Sequence, residues 1–324
     1  MRRLLLRVTD AAVLLWIVTT ITFALLHLAP GDPATLLIAP TATAAEAQQL
    51  RTAMGLDAPL PVQYARWTGG LLRGDLGTSL ARAMPVRAVI TEALPVSLFL
   101  GGVSLLVSFV LGTLAGGYQA LRASRRVDGW ISVVTVTLFA APSFWLALAL
   151  VALFTSGVAV LGLPEWLRLP AFGMQSPAAD AVAPWSDRLR HAVLPLLVLS
   201  LPGMAGVSRY ARQTIRDAHR APHVVSAYAR GLSRRRVEWR HILRTALTPL
   251  VVLFGLTLPG VIAGSVFVEQ VFAWPGLGRA MLGAIGARDY PVVLGLTVVY
   301  ATAVVAANLL ADVLLWWLDP RRRT

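Results

Sequence analysis

The sequence predicts an all-α membrane protein with six transmembrane helices and with both termini on the cytoplasmic side. Of its 324 residues, 56% are hydrophobic and only 14% are charged, whereas about a quarter of the residues of a soluble domain are charged. A bilayer requires roughly 20 consecutive apolar residues per helix. Six stretches reach or approach that length, near 8–28, 94–121, 129–156, 190–207, 246–268 and 291–317.

The first apolar stretch is predicted to be a retained anchor. It follows Arg2, Arg3 and Arg7, as the core of a signal peptide would. No small-residue cleavage site follows it, however, and residues 30–33 read PGDP instead.

The fourth stretch is the shortest of the six. It contains Pro195, Pro202, Gly203 and Gly206. Lipid cannot satisfy backbone groups that such residues release. The sequence therefore predicts an interrupted span beside a protein-lined cavity.

The distribution of arginine gives the orientation. Residues 1–10, 122–128, 208–245 and 319–324 carry 19 arginines among 61 residues. The alternate segments, 29–93, 157–189 and 269–290, carry nine among 120. Cytoplasmic segments of membrane proteins are enriched in arginine and lysine. The roughly fourfold difference in density predicts cytoplasmic termini, which an even number of spans also requires.

These assignments divide the chain into three parts. Residues 1–28 form the N-terminal tail and first span, residues 29–93 form an extracytoplasmic segment, and residues 94–324 form a five-helix core. The extracytoplasmic segment is predicted to contain helices at 44–54 and 62–72 and to cap the outer mouth. The core includes a cytoplasmic loop at about 208–245.

The composition excludes several kinds of chemistry. The chain has no cysteine and no lysine, so all 29 basic residues are arginine. Thiolate nucleophiles, iron–sulfur clusters, disulfides, Schiff bases and the Walker A lysine are therefore impossible. We expect neither an enzyme nor a cofactor site, and we expect no nucleic acid as partner.

The cytoplasmic loop has an internal order that positive charge alone does not require. Pro222 suits the first turn of a helix, Gly231 suits its end, and Ser233 suits the N-cap of a second helix. In the first helix one face is predicted to combine four residues, Val224, Val225, Ala227 and Tyr228, and the other face is free to dock a partner. The alternative is a solvated basic loop that touches anionic lipid.

The loop also carries a family resemblance. Residues 227–249, AYARGLSRRRVEWRHILRTALTP, resemble the coupling loop of ABC-importer permeases, and specifically those of the dipeptide, oligopeptide and nickel group. Further matches follow in order along nearly the whole chain: HLAPGDP (27–33), MGLDAP (54–59), GDLGTS (74–79), PSFW (142–145), FAWPGLGR (272–279), RDYPV (288–292) and LDPR (318–321). Each is weak alone, but together they are specific.

The resemblance implies a function and a set of partners. It implies a type I importer fold in the bacterial inner membrane and a permease that forms the translocation path. The expected partners are a second, homologous permease, two ABC ATPase subunits that bind ATP and Mg²⁺, and an extracytoplasmic substrate-binding protein. The resemblance assigns ATPase coupling to Val225, Ser226, Ala227, Tyr228, Gly231, Leu232 and Ser233.

The loop departs from the general motif of this family, which is E-A-A, then three intervening residues, then glycine. Val225-Ser226-Ala227 stand at the first three positions, so the glutamate is missing. Tyr228 stands where many relatives carry arginine.

Four other sets of residues could have a functional or a structural role. His219 and His223 could bind a metal from one helical face, although Pro222 between them favours loop histidines. Asn308 and Asp312 are polar groups in an apolar helix and thus functional candidates, or Asp312 pairs with an arginine at the inner boundary. We expect Glu269, His27, Trp316 and Trp317 to be interfacial. The glycines of the second span, Gly101, Gly102, Gly112, Gly116 and Gly117, indicate close helix packing rather than a ligand site.

Three functional classes remain open at the level of sequence. An importer permease is favoured, and its substrate is predicted to be a short peptide, with nickel or another small solute as the alternative. A secondary transporter or channel would need charged groups at mid-membrane or inverted repeats, and neither is evident. An intramembrane enzyme lacks a nucleophile or metal cluster.

Overall fold

The chain folds into helices, as predicted. The computed structural model describes residues 2–28, 43–53, 56–176, 184–263 and 265–318. Several predicted features lie outside this range, namely the PGDP turn at 30–33, Met54 and Gly55, and the arginines at 321–323. The side chains of Trp316 and Trp317 also lie outside it. Between the described residues, β pairing is limited to one isolated bridge from Thr78 to Pro85.

The helices follow one another in this order: α1 (Arg2–Leu28), α2 (Ala44–Ala53), α3 (Leu60–Leu72), α4 (Val86–Leu121), α5 (Arg125–Ala140), α6 (Ser143–Phe154), α7 (Ser156–Val160), α8 (Pro184–His219), α9 (Pro222–Ala229), α10 (Arg234–Val237), α11 (Leu243–Thr257), α12 (Gly260–Ala263), α13 (Val266–Val271), α14 (Leu277–Gly286) and α15 (Tyr290–Leu318). A π-type turn at Glu238–Ile242 joins α10 to α11.

Four helices in the described part of the chain are long and apolar enough to cross a membrane. They contain the segments Thr9–Leu28, Val86–Leu121, Trp185–His219 and Tyr290–Val313. The pair α5 and α6 can provide a fifth span, bent by 111° at the break between them. The membrane fold is therefore confirmed, and the number of spans supported by length and composition is four to five.

The third predicted span is not one straight helix. It is interrupted between Ala140 and Ser143, where Ala141 and Pro142 have extended backbones with ψ of 128° and 134°. Proline disfavours a helical conformation in the residue before it. The proline thus ends α5 at Ala140 and starts α6 in a new direction.

The fifth predicted span, 246–268, is also wrong as a single helix. α11 ends at Thr257, and two short helices, α12 and α13, follow it. The break falls at Leu258 and Pro259, immediately before Gly260. Pro259 has no N–H to donate, so one helical hydrogen bond is missing at this point.

The fourth predicted span is more continuous than the sequence indicated, unlike the third and the fifth. α8 is continuous for 36 residues through Pro195 and Pro202, so the predicted interruption is wrong. It also extends to His219, well past the apolar stretch that ends near residue 207. Hydropathy fails here because the last three turns are amphipathic, with buried Ala211 and Ile215 beside several arginines.

The predicted extracytoplasmic helices are confirmed within two residues, as α2 and α3. They belong to a compact unit made of the described residues of 1–96 and 275–305. In that unit the buried carboxylate of Asp289 accepts a hydrogen bond from the Ser79 hydroxyl at 2.5 Å. It also accepts hydrogen bonds from the backbone N–H groups of Leu80 and Ala81, each with an N···O distance of 3.1 Å. The GDLGTS and RDYPV motifs therefore meet.

The second compact unit, made of the described residues of 97–274 and 306–318, contains the segment that was predicted to be cytoplasmic. Its helices α4 and α8 approach each other closely at Gly112 and Gly116, as predicted, but the prediction is wrong for Gly102, which has nothing within 4 Å of an added Cβ. A Cβ atom on Gly112 would lie 2.8 Å from the Met204 carbonyl oxygen. One on Gly116 would collide with the Ser208 carbonyl oxygen and lie 2.8 Å from the Arg212 nitrogen.

This contact predicts opposite outcomes for two identical substitutions in one helix. Gly116→Ala should destabilise the protein by about 1–3 kcal/mol, because backbone atoms of α8 must move. Gly102→Ala should be neutral or stabilising by up to about 1 kcal/mol, since nothing lies within 4 Å of its added Cβ. Thermal unfolding in detergent measures both. Equal effects would contradict the close approach of α4 and α8.

Candidate functional site

The segment predicted to couple to an ATPase forms a short helix, α9, set between two turns. Ala221 precedes it in an extended conformation, with φ −66° and ψ 140°, and Pro222 occupies its first position. The helix ends at Ala229, and Gly231 then adopts φ +76°. Only glycine takes that conformation without steric cost. Pro222 and Gly231 therefore mark the two ends of α9, as predicted.

One face of α9 is anchored in a small apolar core. Val224 and Ala227 are fully buried, three residues apart on the same side of the helix. They pack with Ile215 and Ala218 of α8, and with Ile242 and Ala246, where the π-type turn enters α11. Val237 completes this core. The face thus connects α9 with two long helices.

The opposite face of α9 is exposed in this chain. Val225 is 58% exposed, so its predicted place beside Val224 is wrong. Successive residues in a helix are rotated by about 100°, which separates these neighbours. Ser226 is exposed as well, whereas Tyr228 is half-buried against the apolar core.

The turn that follows α9 holds the remaining predicted coupling residues. Gly231 and Ser233 are exposed, and the half-buried Leu232 packs against the apolar core. Ser233 occupies the predicted N-cap position of α10, but its side chain makes no capping hydrogen bond. Its carbonyl oxygen accepts the Val237 N–H at 3.0 Å instead.

The buried carboxylate of Glu238 joins this segment to the residue that follows α4. The side chain of Glu238 is 4% exposed. It accepts two hydrogen bonds from the Arg122 guanidinium, at 2.8 and 2.7 Å, and one from Arg234 at 2.8 Å. The ion pair between Arg234 and Glu238 could be expected from the sequence, because the two residues are four apart in one helical segment. Nothing local indicates Arg122, which is 116 residues away.

These contacts shift the ionisation of Glu238. Hydrogen bonds from Arg122 lower the pKa of the carboxyl from 4.5 to about 2; burial opposes the shift and Arg234 adds to it. Because the folded pKa lies below the unfolded one, the stabilisation is complete above about pH 4.5. It is lost as the pH falls towards 2.

Glu238→Gln should therefore lower stability at neutral pH by about 1–2 kcal/mol, allowing for the solvent exposure of both arginines. The difference from the parent chain should shrink between pH 5 and pH 3, where the carboxyl protonates in the unfolded chain but stays ionised in the folded one. Unfolding temperatures measured in detergent across pH 3–7 test this. A difference independent of pH would contradict the ion-pair assignment.

A second polar network joins α4, α5 and α8 near the same end. Asp128 accepts hydrogen bonds from Arg212 at 2.5 Å and from Arg216 at 3.1 Å. Gln119 donates to Asp128 at 3.1 Å and accepts from the buried Ser208 hydroxyl at 3.1 Å. Arg212 and Arg216, which are among the 19 arginines that give the predicted orientation, therefore also have a structural role.

The histidines of the segment contact other side chains. The rings of His219 and Tyr228 meet edge to face, 6.0 Å apart, and His223 Nε2 lies 3.3 Å from the Thr245 hydroxyl. Among the described residues, no three histidine, cysteine or acidic side chains cluster as metal ligands. His219 ends α8 and His223 lies in α9, so the two side chains do not share one helical face.

Glu269 is not interfacial in this chain, contrary to the prediction. It is fully buried and accepts hydrogen bonds from the Ser97 and Ser265 hydroxyls, each at 2.6 Å. Both serines come from the same compact unit, so the carboxylate lies inside it. His27 is half-buried and stacks on Phe23, with ring centroids 4.0 Å apart.

The polar pair of α15 differs in exposure. Asn308 is exposed, and Asp312, one turn later, is half-buried.

A cavity of about 1230 Å³ lies in the same unit as α9. Its walls come from α4, α5, α6, α8 and the α11–α12 region, and they are mostly apolar with five serines, Ser104, Ser108, Ser132, Ser143 and Ser265. Arg209 and Arg212 line it, and Arg212 is paired with Asp128. Arg209 instead lies over the Phe139 ring, 5.4 Å from its centroid. The predicted cavity beside the fourth span is thus present, although that helix is continuous.

Comparison with known proteins agrees with this architecture. Residues 108–324 match the model of the binding-protein-dependent transport system inner membrane component. Residues 1–101 match the model of the N-terminal part of the same kind of membrane component.

Individual relatives align along almost the whole chain. The chain is 36% identical over 305 residues to the oligopeptide transport system permease protein AppB of Bacillus subtilis, covering 94% of this chain and 93% of the relative. It is 34% identical over 313 residues to the probable D,D-dipeptide transport system permease protein DdpB of Escherichia coli, covering 94% and 92%. It is also 34% identical over 316 residues to the di/tripeptide transport system permease protein DppB of Pseudomonas aeruginosa, covering 94% of each.

The long apolar helices, the short helix between two turns and these full-length matches agree. The chain belongs to the family of inner-membrane permease components of binding-protein-dependent ABC transport systems.

Proposed function

We propose that this chain is the permease subunit of an ABC importer for short peptides. The observation that carries the proposal is a continuous connection within one compact unit. The buried face of α9 packs on α8 and on the start of α11, and both helices also line the 1230 Å³ cavity. A force on α9 therefore acts directly on the helices that form the walls of the cavity.

The substrate class follows from the relatives and is consistent with the cavity. The printed names of the three relatives refer to oligopeptides, D,D-dipeptides and di- or tripeptides. Serine hydroxyls on an apolar wall can accommodate peptide amide groups without selecting one sequence. Nickel or another small solute remains the alternative, and it would need a carrier molecule, because the cavity walls contain no carboxylate, histidine or thiolate.

The proposal includes partner chains that supply energy and substrate. Two ABC ATPase subunits would bind ATP and Mg²⁺, which this chain is not proposed to bind. An extracytoplasmic binding protein would deliver the peptide, and a second homologous permease, most simply in a heterodimer, would complete the translocation path. The extracytoplasmic segment 29–93 would cap the outer mouth of that path.

The coupling role is assigned to the segment from Val225 to Ser233. Val225 and Ser226 would contact the ATPase with their exposed side chains. Ala227, Tyr228 and Leu232 would transmit the movement into the apolar core, and Gly231 and Ser233 would hold the angle between α9 and α10. This division of labour refines the sequence-based assignment, which treated the seven residues alike.

The proposed topology has six spans with both termini in the cytoplasm. The α11–α13 region would provide the sixth span as a broken helix, in addition to the four single helices and the bent pair. The arginine distribution supports the orientation. A broken span is compatible with a membrane protein where it borders a cavity, and Val261 and Ser265 do line this one.

Peptide uptake in a strain lacking this chain tests the function. Uptake of a labelled tripeptide should be lost on deletion and restored by the parent chain. It should depend on ATP and survive dissipation of the proton gradient. Unchanged tripeptide uptake after deletion would contradict the peptide assignment. Uptake into vesicles that contain this chain alone and are driven by an ion gradient would instead identify a secondary transporter.

A further inference from the structure

A second groove, of about 1030 Å³, runs between α4 and α11 and is separate from the cavity described above. Its apolar part is formed by Leu114, Leu243, Leu247 and Val251, among others. Leu114 is 64% exposed and Leu247 is 46% exposed. These residues lie at the cytoplasmic ends of the second and fifth predicted spans. The groove therefore opens at the depth of the inner leaflet.

The other end of the groove is strongly basic. It is lined by Arg122, Arg240 and Arg244. Arg122 is bound to Glu238. In the described part of the chain, no carboxylate forms an ion pair with Arg240 or Arg244, and both are exposed. The two guanidinium groups thus leave net positive charge at one end of an apolar groove.

Two segments that are far apart in the sequence indicate the depth of these arginines in the membrane. Arg122 immediately follows the second predicted span, and Arg244 precedes the fifth by two residues. Trp239, 68% exposed, and Tyr118, 50% exposed, line the groove at the same end. Tryptophan and tyrosine concentrate at the level of the lipid headgroups. Charge, aromatic rings and span boundaries all place this end at the membrane surface.

We propose that the groove binds an anionic phospholipid, with the phosphate at Arg240 and Arg244 and an acyl chain along the leucines. Arginine binds phosphate oxygens in a bidentate manner, and basic pockets between membrane helices accept acidic headgroups. The ligand that the surface requires is anionic at one end and apolar at the other. This inference does not depend on which solute the permease carries.

Native mass spectrometry of the purified full-length chain tests the site with dioleoylphosphatidylglycerol. Arg240→Gln/Arg244→Gln should weaken its binding at least tenfold. The matched control is Arg125→Gln/Arg126→Gln, which removes the same charge at the exposed start of α5, away from the groove. The control should change binding less than twofold. Equal losses in both variants would mean diffuse attraction and would overturn the proposal.

The apolar half needs a separate variant. Thr248 is exposed and lines the groove, so Thr248→Trp should fill it without disturbing the core. This variant should also weaken phosphatidylglycerol binding, whereas an excess of glycerol phosphate should not displace the lipid from the parent chain. Unchanged binding to Thr248→Trp, or displacement by glycerol phosphate, would show an anion site without a lipid groove and would overturn the proposal.

A third experiment tests whether a protein occupies the groove instead of a lipid. Because the chain has no cysteine, Thr248→Cys provides a unique attachment point for a photo-reactive maleimide in native membranes. The proposal predicts a lipid adduct on the assembled transporter, identified by its mass. A protein adduct as the main product would mean that a partner helix fills the groove, which would contradict lipid binding.

Discussion

Ala227→Glu is expected to abolish ATP-driven transport and to destabilise the chain by about 3–5 kcal/mol, the cost of an uncompensated buried charge. Ala227 is fully buried, and its neighbours in the apolar core are Val224, Ile215, Val237 and Ile242. A glutamate there must either stay unpaired or pull α9 away from α8 and α11. In both cases the connection between α9 and the cavity is lost.

The adjacent position supplies the matched control. Ser226→Glu introduces the same side chain one residue earlier, on the exposed face. Its unfolding temperature in detergent should stay close to that of the parent, although its ATPase contact should weaken. Equal destabilisation by the two substitutions would mean that α9 has no buried and exposed faces, against the structure.

Gly231→Pro has the second largest expected effect. Gly231 has φ +76°, and its N–H donates to the Tyr228 carbonyl oxygen at 2.9 Å. Proline fixes φ near −65° and has no N–H, so the turn between α9 and α10 cannot form, at a cost of about 3 kcal/mol or more. We expect ATP-driven peptide uptake to fall at least tenfold while the long helices persist.

A series at the same position separates backbone conformation from side-chain size. Gly231→Asn should retain most transport, because asparagine tolerates a left-handed backbone. Gly231→Ala should be intermediate, with a stability cost of about 1 kcal/mol. Uptake in the order Gly, Asn, Ala, Pro is the expected result. Transport in Gly231→Pro equal to that of the parent would rule out a rigid turn as the link to the ATPase.

The sequence was informative where local chemistry decides the outcome. Pro222 and Gly231 define the ends of α9 because each has a backbone preference that no neighbour overrides. The glycines of α4 indicate close packing for a similar reason, since only a missing Cβ allows the approach to Ser208.

Hydropathy predicted the continuity of some spans wrongly, because it measures the length of an apolar stretch and gives no information on backbone geometry. Pro142 and Pro259 interrupt two apolar stretches that were predicted to be continuous. Pro195 and Pro202, by contrast, lie within a continuous helix. Proline alone therefore does not decide the outcome, and neither does a following glycine, because Pro202-Gly203 lies inside α8 whereas Pro259-Gly260 lies at a break.

The contacts that fix the candidate site were beyond the reach of the sequence. Arg122 and Glu238 are far apart in the chain, so no periodicity relates them. The assignment of Val225 to the buried face failed for a different reason. α9 has eight residues. The apolar character of a valine in so short a helix does not show whether its side chain packs in the core or faces a partner.

The central claim is that the exposed face of α9 contacts a separate ATPase subunit. Single-cysteine crosslinking tests it most directly, because the parent chain has no cysteine. In membranes containing the whole transporter, Val225→Cys labelled with a short maleimide–diazirine reagent should photo-crosslink to the ATPase, and the yield should change when ATP is bound. Val224→Cys, at a fully buried position, should give no such adduct. An ATPase adduct at Val224 and none at Val225 or Ser226, in complexes that still transport, would contradict the account.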